Sequence, residues 1–137
     1  MKKIAISIGI ILICMSCKND LVNPEKLVGK WSHTYYIKDK DQNGNWSDWH
    51  QINTLVALPT LEFTSNGKIL WEGKPATNCC QYLSYTIDNE VIKLSELTPA
   101  SAACDCVLCD SWKLEKLTEE TLEIDLCYIQ ARYVRLK

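Results

Sequence analysis

Basic clusters, catalytic motifs and membrane-spanning runs are all missing from this 137-residue chain, and each absence excludes something. No Lys/Arg cluster occurs, and 17 acidic side chains outnumber 15 basic ones, so nucleic acid is not an expected partner. There is no Gly-x-Ser-x-Gly elbow, no His-Glu-x-x-His and no phosphate loop. Only two histidines are present. His33 shares a face with Trp31 and Tyr35 and reads as a hydrogen-bonded core histidine, while His50, beside Trp46 and Trp49, reads as a rim residue. Glu62, Glu72 and Asp125 alternate outward and read as a solvated face. The expectation is a protein that is not an enzyme and holds no cofactor. Repeats, low-complexity stretches and a second domain are also lacking. The apolar run Ile4 to Met15 is too short to cross a bilayer, which takes about 20 apolar residues.

What is present begins with that run. Lys2 and Lys3 precede it and Ser16-Cys17 follows it, the three parts of a secretory signal in order. The stretch resembles a bacterial lipoprotein signal, in which a small residue precedes a cysteine that becomes the acylated first residue of the mature chain. It departs from the usual pattern at Cys14, where a leucine is common. The resemblance implies that residues 1–16 are removed, that Cys17 is lipidated and that residues 17–26 form a polar tether broken by Pro24. Each acyl CH₂ buried in lipid contributes about 0.8 kcal/mol, so several chains hold the protein at a membrane. Lys18-Asn19-Asp20 is similar to the short charged signal that directs lipoproteins of Gram-negative bacteria to the outer face of the outer membrane. The expected location is therefore the bacterial outer membrane, on its periplasmic or cell-surface face. Without Lys2 and Lys3 the mature chain has a net charge of about −4.

Residues 27–137 read as one all-β domain of about eight strands, because short β-branched and aromatic runs alternate with polar residues between turn signals. Gly29-Lys30-Trp31 opens the first strand, with Trp31, His33, Tyr35 and Ile37 on one face, and Asp39 to Asn45 is the first turn. Trp46 to Leu55 reads as a second strand. A three-residue loop Ser65-Asn66-Gly67, with Gly67 left-handed, sets Phe63 opposite Ile69 and Leu61 opposite Trp71. A two-residue turn there would mix core and solvent on one face, so the first register is expected. A hairpin around Asn89-Glu90 sets Tyr85 opposite Leu94 and Ile87 opposite Ile92. The last strands are expected near Val107 to Lys116, Thr121 to Tyr128 and Ala131 to Leu136, with Trp112, Leu114, Leu122, Ile124 and Leu126 inward. Such a meander buries its edges best by closing into an up-and-down antiparallel barrel.

Leu27-Val28-Gly29-Lys30-Trp31, the Leu61-x-Phe63-x3-Gly67 hairpin, the Lys116-Leu117-Thr118 turn before Leu122-x-Ile124, and a last strand with Arg132 and Arg135 resemble the lipocalin-like domains of bacterial lipoproteins. The resemblance implies that Trp31 closes one end of the barrel beneath an arginine of the last strand. Arg132, which shares parity with Val134 and Leu136, is expected there ahead of Arg135. Arg over Trp is a favourable cation–π stack and a structural plug.

Six further cysteines in an exported domain read as three disulfides. Centring the penultimate hairpin near Thr118 sets Leu114 opposite Leu122 and Cys109 opposite Cys127, which predicts a Cys109–Cys127 bridge. Cys79 and Cys80 point to opposite faces and are each expected to bond a separate partner in Cys104 and Cys106. The competing reading is a thiolate metal cage, or redox chemistry at Cys106-Val107-Leu108-Cys109; a reactive pair of that spacing usually sits at a helix N-terminus, and this one runs into a strand.

Five Trp and six Tyr exceed what a small core needs. Tyr35, Trp71, Tyr85, Trp112 and Tyr128 are assigned by parity to the barrel interior, where they would line a site for a small apolar or aromatic ligand. The competing expectation is a packed barrel that binds a protein or glycan through the exposed aromatics of Trp46-Ser47-Asp48-Trp49.

Overall fold

The computed structural model describes residues 24–99 and 109–137. The signal, Cys17 and the first part of the tether lie outside the described residues, as do Cys104 and Cys106. Among the described residues no helix is long and apolar enough to cross a membrane.

One helical turn, α1 (Pro24–Leu27), leads into β1 (Gly29–Asp39). The strands that follow are β2 (His50–Gln51), β3 (Leu61–Phe63), β4 (Ile69–Trp71), β5 (Lys74–Pro75) and β6 (Tyr82–Asp88). The chain ends with β7 (Val91–Leu97), β8 (Ser111–Leu117), β9 (Thr121–Asp125) and β10 (Ile129–Arg135). The sheet runs in the order β5-β4-β3-β1-β10-β9-β8-β7-β6, with every pairing antiparallel. The first long strand thus pairs with the last, as an up-and-down barrel requires. The remaining seam lies between β4 and β6, where a single bridge joins Lys68 to Ser84 and the Tyr85 N–H donates to the Gly67 carbonyl at 2.8 Å. Side chains reinforce that thin seam. Lys68 Nζ donates to Ser84 Oγ at 2.9 Å and pairs with Glu96 at 2.5 Å, and Ser84 Oγ donates to the same carboxylate.

Two hairpins follow their sequence signals. Phe63 stands opposite Ile69 and Leu61 opposite Trp71, with Gly67 at φ 77°, where glycine avoids the penalty of a side chain. Tyr85 faces Leu94 and Ile87 faces Ile92 around Asn89-Glu90. The Trp46 to Leu55 strand is a correction. Only His50 and Gln51 pair with β1, at Ile37 and Tyr36, and residues 52–60 leave the sheet as an irregular segment.

The β8–β9 register is a second correction. Leu114 stands opposite Ile124 rather than Leu122, because a bulge near Glu115 inserts one residue and brings Leu117 opposite Leu122. Cys109 and Cys127 nonetheless form a disulfide across a Cα separation of 6.4 Å. Cys127 has left β9 and turned at φ 85°, which brings it back towards Cys109. Cys79 and Cys80 are both disulfide-bonded. Their expected pairing with Cys104 and Cys106 lies outside the described residues. No group of three or more His, Cys, Asp or Glu gathers to hold a metal among the described residues.

The core runs through the barrel from Leu27 and Trp31 at one end, past Leu61, Phe63, Ile69, Ile92, Leu122 and Ile124, to Ile37 and Tyr133 at the other. At the closed end the Trp31 indole N–H donates to the Leu27 carbonyl at 2.9 Å, which docks α1 under the barrel. The arginine over Trp31 is Arg135, with its guanidinium carbon 4.2 Å from the ring centroid, and not Arg132. Inward parity on β10 belongs to Ala131 and Tyr133, both buried, whereas Val134 and Leu136 are each 43% exposed. Arg135 shares the inward parity. Arg132 has the outward one and lies over Trp49 at 4.2 Å, paired with Glu123 at 2.8 Å.

Arg135 also binds the chain ends together. Its guanidinium donates to the Val28 carbonyl at 2.9 Å, to the Glu119 carbonyl at 2.6 Å and to the Lys26 carbonyl. Gly29, at φ 142°, makes room for it: a Cβ on Gly29 would collide with the guanidinium. The Gly-x-Trp motif and the arginine are therefore one device, in which the glycine opens the path to the tryptophan.

Candidate functional site

The end opposite Trp31 holds a cavity of about 210 Å³. His33 and Ile37 of β1 and Trp71 of β4 form part of its wall, with Ile129 and Tyr133 of β10. Leu126, from the turn between β9 and β10, joins them. The irregular segment supplies Ile52, Leu58 and Pro59 and also carries Leu55 and Val56, which are wholly and largely exposed.

That segment is held by Tyr35. The β1–β10 register shifts between His33 and Ile37, and Tyr35 sits at this irregularity with φ 65°. A left-handed non-glycine residue costs about 1–3 kcal/mol and persists only where its surroundings impose it. Here the Tyr35 carbonyl accepts the Ile52 N–H at 2.9 Å, and its hydroxyl accepts the Leu58 N–H at 3.3 Å. The bulge thus turns Tyr35 out of the face shared by Trp31, His33 and Ile37 and uses it to anchor the wall.

His33 is set by the same bulge. Its Nδ1 accepts the Tyr35 N–H at 2.8 Å, so the neutral ring carries its proton on Nε2. The ring meets Tyr133 edge-on at 5.0 Å and Tyr35 at 5.8 Å. Burial lowers the His33 pKa below its ordinary value of 6.5. The unfolded chain therefore binds this proton more readily than the folded one, and stability present above pH 6.5 is lost as the pH falls from there towards the folded pKa. Urea unfolding at pH 7.5 and 5.5 checks this: the loss at pH 5.5 is expected to shrink in His33→Gln, which keeps an acceptor for the Tyr35 N–H. Burial also raises the Tyr133 pKa, so its hydroxyl stays protonated.

Trp71 supplies the feature that sets this cavity apart from ordinary core. Its indole Nε1 is buried and, among the described residues, has no hydrogen-bond partner. An unpaired buried N–H costs about 1–3 kcal/mol, and native structures leave few of them. None of the nine lining residues carries a formal charge at neutral pH when His33 is neutral.

Of the five aromatic candidates only Trp71 lines this cavity. Tyr85 is core: its ring meets Phe63 edge-on at 5.0 Å and its hydroxyl donates to the Thr64 carbonyl at 2.8 Å. Trp112 packs on the same Phe63 at 6.5 Å. Tyr128 is 63% exposed, because the turn between β9 and β10 breaks the alternation that placed it inward. His33 was read as core alone, and Tyr133 was not singled out. The pairing of β1 with β10 sets those two opposite each other.

Outside the barrel, Trp49 lies between Lys38 at 5.0 Å and Arg132 at 4.2 Å, and Lys40 covers Trp46 at 4.8 Å. His50, on the same exposed side, pairs with Asp39 at 3.1 Å.

No family model and no curated protein matches this sequence. A solved structure of a lipocalin-like protein from Bacteroides uniformis ATCC 8492 is similar over 81% of this chain and 99% of that one, at 15% identity and a TM-score of 0.49.

Proposed function

We propose that this protein is an exported, lipid-anchored binding module, non-catalytic, whose barrel takes a small apolar or aromatic ligand in the Trp71 cavity. The carrying observation is the cavity itself, walled almost entirely by apolar side chains and containing a buried indole N–H without a partner. Binding sites are commonly of this kind, apolar with a few convergent polar groups. At about 210 Å³ the space suits a single ring system and not a whole sterol or porphyrin.

Titration of indole emission with naphthalene-sized apolar probes tests the reading. A saturable change that disappears in Trp71→Phe is expected. Ile37→Phe, which fills the cavity, is expected to weaken binding at least tenfold, while Trp49→Ala leaves it unchanged. Silence towards every probe, or equal loss in Trp49→Ala, contradicts the cavity.

A second reading, a surface that binds a protein or glycan, draws support from the exposed ring of Tyr128 near the Trp49 cluster. Under it Trp46→Ala and Trp49→Ala abolish function, and Ile37→Phe does not.

A further inference from the structure

Three polar groups belong to the cavity wall, and their hydrogen-bonding states describe the ligand. The Trp71 indole can only donate. His33 spends Nδ1 on the Tyr35 N–H, which leaves Nε2–H as a donor, and that atom has no partner among the described residues. The Tyr133 hydroxyl is also without one among the described residues, and it keeps its proton. The wall is therefore rich in donors and poor in acceptors.

Charge decides the rest. Arg132, the nearest arginine in sequence to Tyr133, points outward and is already engaged by Trp49 and Glu123. Arg135 is held at the far end of the barrel by Trp31. A carboxylate brought into this cavity would lose its water without gaining a cation, which is costly. A neutral carbonyl loses less on entry and satisfies the donors.

From this wall we infer that the cavity selects an uncharged ligand carrying a hydrogen-bond acceptor, an aryl ketone or ester in type, with Trp71 Nε1–H as the donor to that oxygen. This rests on the binding reading above and narrows it. The ligand's ring or short chain lies against Ile37, Leu126 and Ile129, and its oxygen faces the indole. Trp71 thus acts as the specificity-determining residue, since its N–H separates a ketone from a hydrocarbon of the same shape.

Acetophenone, cumene and benzoate test the inference, since they share nine heavy atoms and differ in the head group: neutral acceptor, no acceptor, charged acceptor. Affinities are measured on the full chain by nuclear magnetic resonance, following the indole N–H signals. Acetophenone is expected to bind about tenfold more tightly than cumene, the size of one net hydrogen bond, and more tightly than benzoate. It is also expected to move the Trp71 indole proton downfield, which cumene does not. Trp71→Phe, which keeps an aromatic ring and removes the donor, is expected to bring acetophenone down to cumene. Equal affinity for acetophenone and cumene, with an unmoved indole signal, overturns acceptor recognition while leaving an apolar pocket in place. Tightest binding of benzoate overturns neutrality. Failure of all three at millimolar concentration overturns the binding reading itself. The wild-type affinity ratio decides the matter even if Trp71→Phe fails to fold.

Discussion

Arg135→Ala is expected to lower the unfolding free energy by about 3 kcal/mol, and Arg132→Ala by less than about 1 kcal/mol, in urea denaturation at neutral pH. The contrast follows from what each guanidinium touches. Arg135 stacks on the fully buried Trp31 ring and donates to the carbonyls of Lys26, Val28 and Glu119, so one side chain joins α1, the start of β1 and the turn before β9 to the end of β10. Charge-assisted bonds to otherwise unpartnered carbonyls are worth more than neutral ones, and removal leaves those oxygens to find water. Arg132 has one carboxylate partner and one indole on the outer face, where screening by solvent keeps such contacts weak. The reverse order would show that the barrel is plugged by the other arginine.

Loss of the Cys109–Cys127 bridge has a similar expected size. The cysteines are 18 residues apart, and in the chain-entropy view a loop of that length stabilises the fold by about 3 kcal/mol by restricting the unfolded chain. The double variant Cys109→Ser, Cys127→Ser is expected to show that loss in urea denaturation, and dithiothreitol is expected to have a larger effect on the parent, whose Cys79 and Cys80 are disulfide-bonded as well. A domain of this length has a modest core, so several such constraints account for a sizeable fraction of its stability. No change on mutation or reduction would mean that the thiols matter for chemistry and not for the fold.

The parts of the barrel that were legible in the sequence are those in which alternation is unbroken. Asn66-Gly67 and Asn89-Glu90 announce their hairpins, and the inward Leu61, Phe63 and Ile69 exclude the slipped register. What escaped the sequence sits at three irregularities. The bulge at Tyr35 turns that ring from the interior to the wall segment, the bulge near Glu115 shifts β8 against β9, and the turn at Cys127 exposes Tyr128 and resets β10 so that Arg135, not Arg132, faces inward. Each inserts residues that carry no signal of their own, and each inverts parity for everything that follows. The cavity was legible only through Trp71, which the Leu61–Trp71 pairing places inside. Its remaining wall comes from β1, β10 and an irregular segment far apart in sequence, and no motif marks that convergence.

The central claim is that the open end of the barrel receives an apolar ring at Trp71. Crystals soaked with iodobenzene test it most directly, because the iodine reports its position by anomalous scattering and an apolar cavity of this kind is known to admit such rings. The account requires a peak enclosed by Ile37, Trp71, Leu126 and Tyr133. A cavity filled instead by its own side chains, with iodobenzene absent or confined to the outer face beside Trp46 and Trp49, would contradict it.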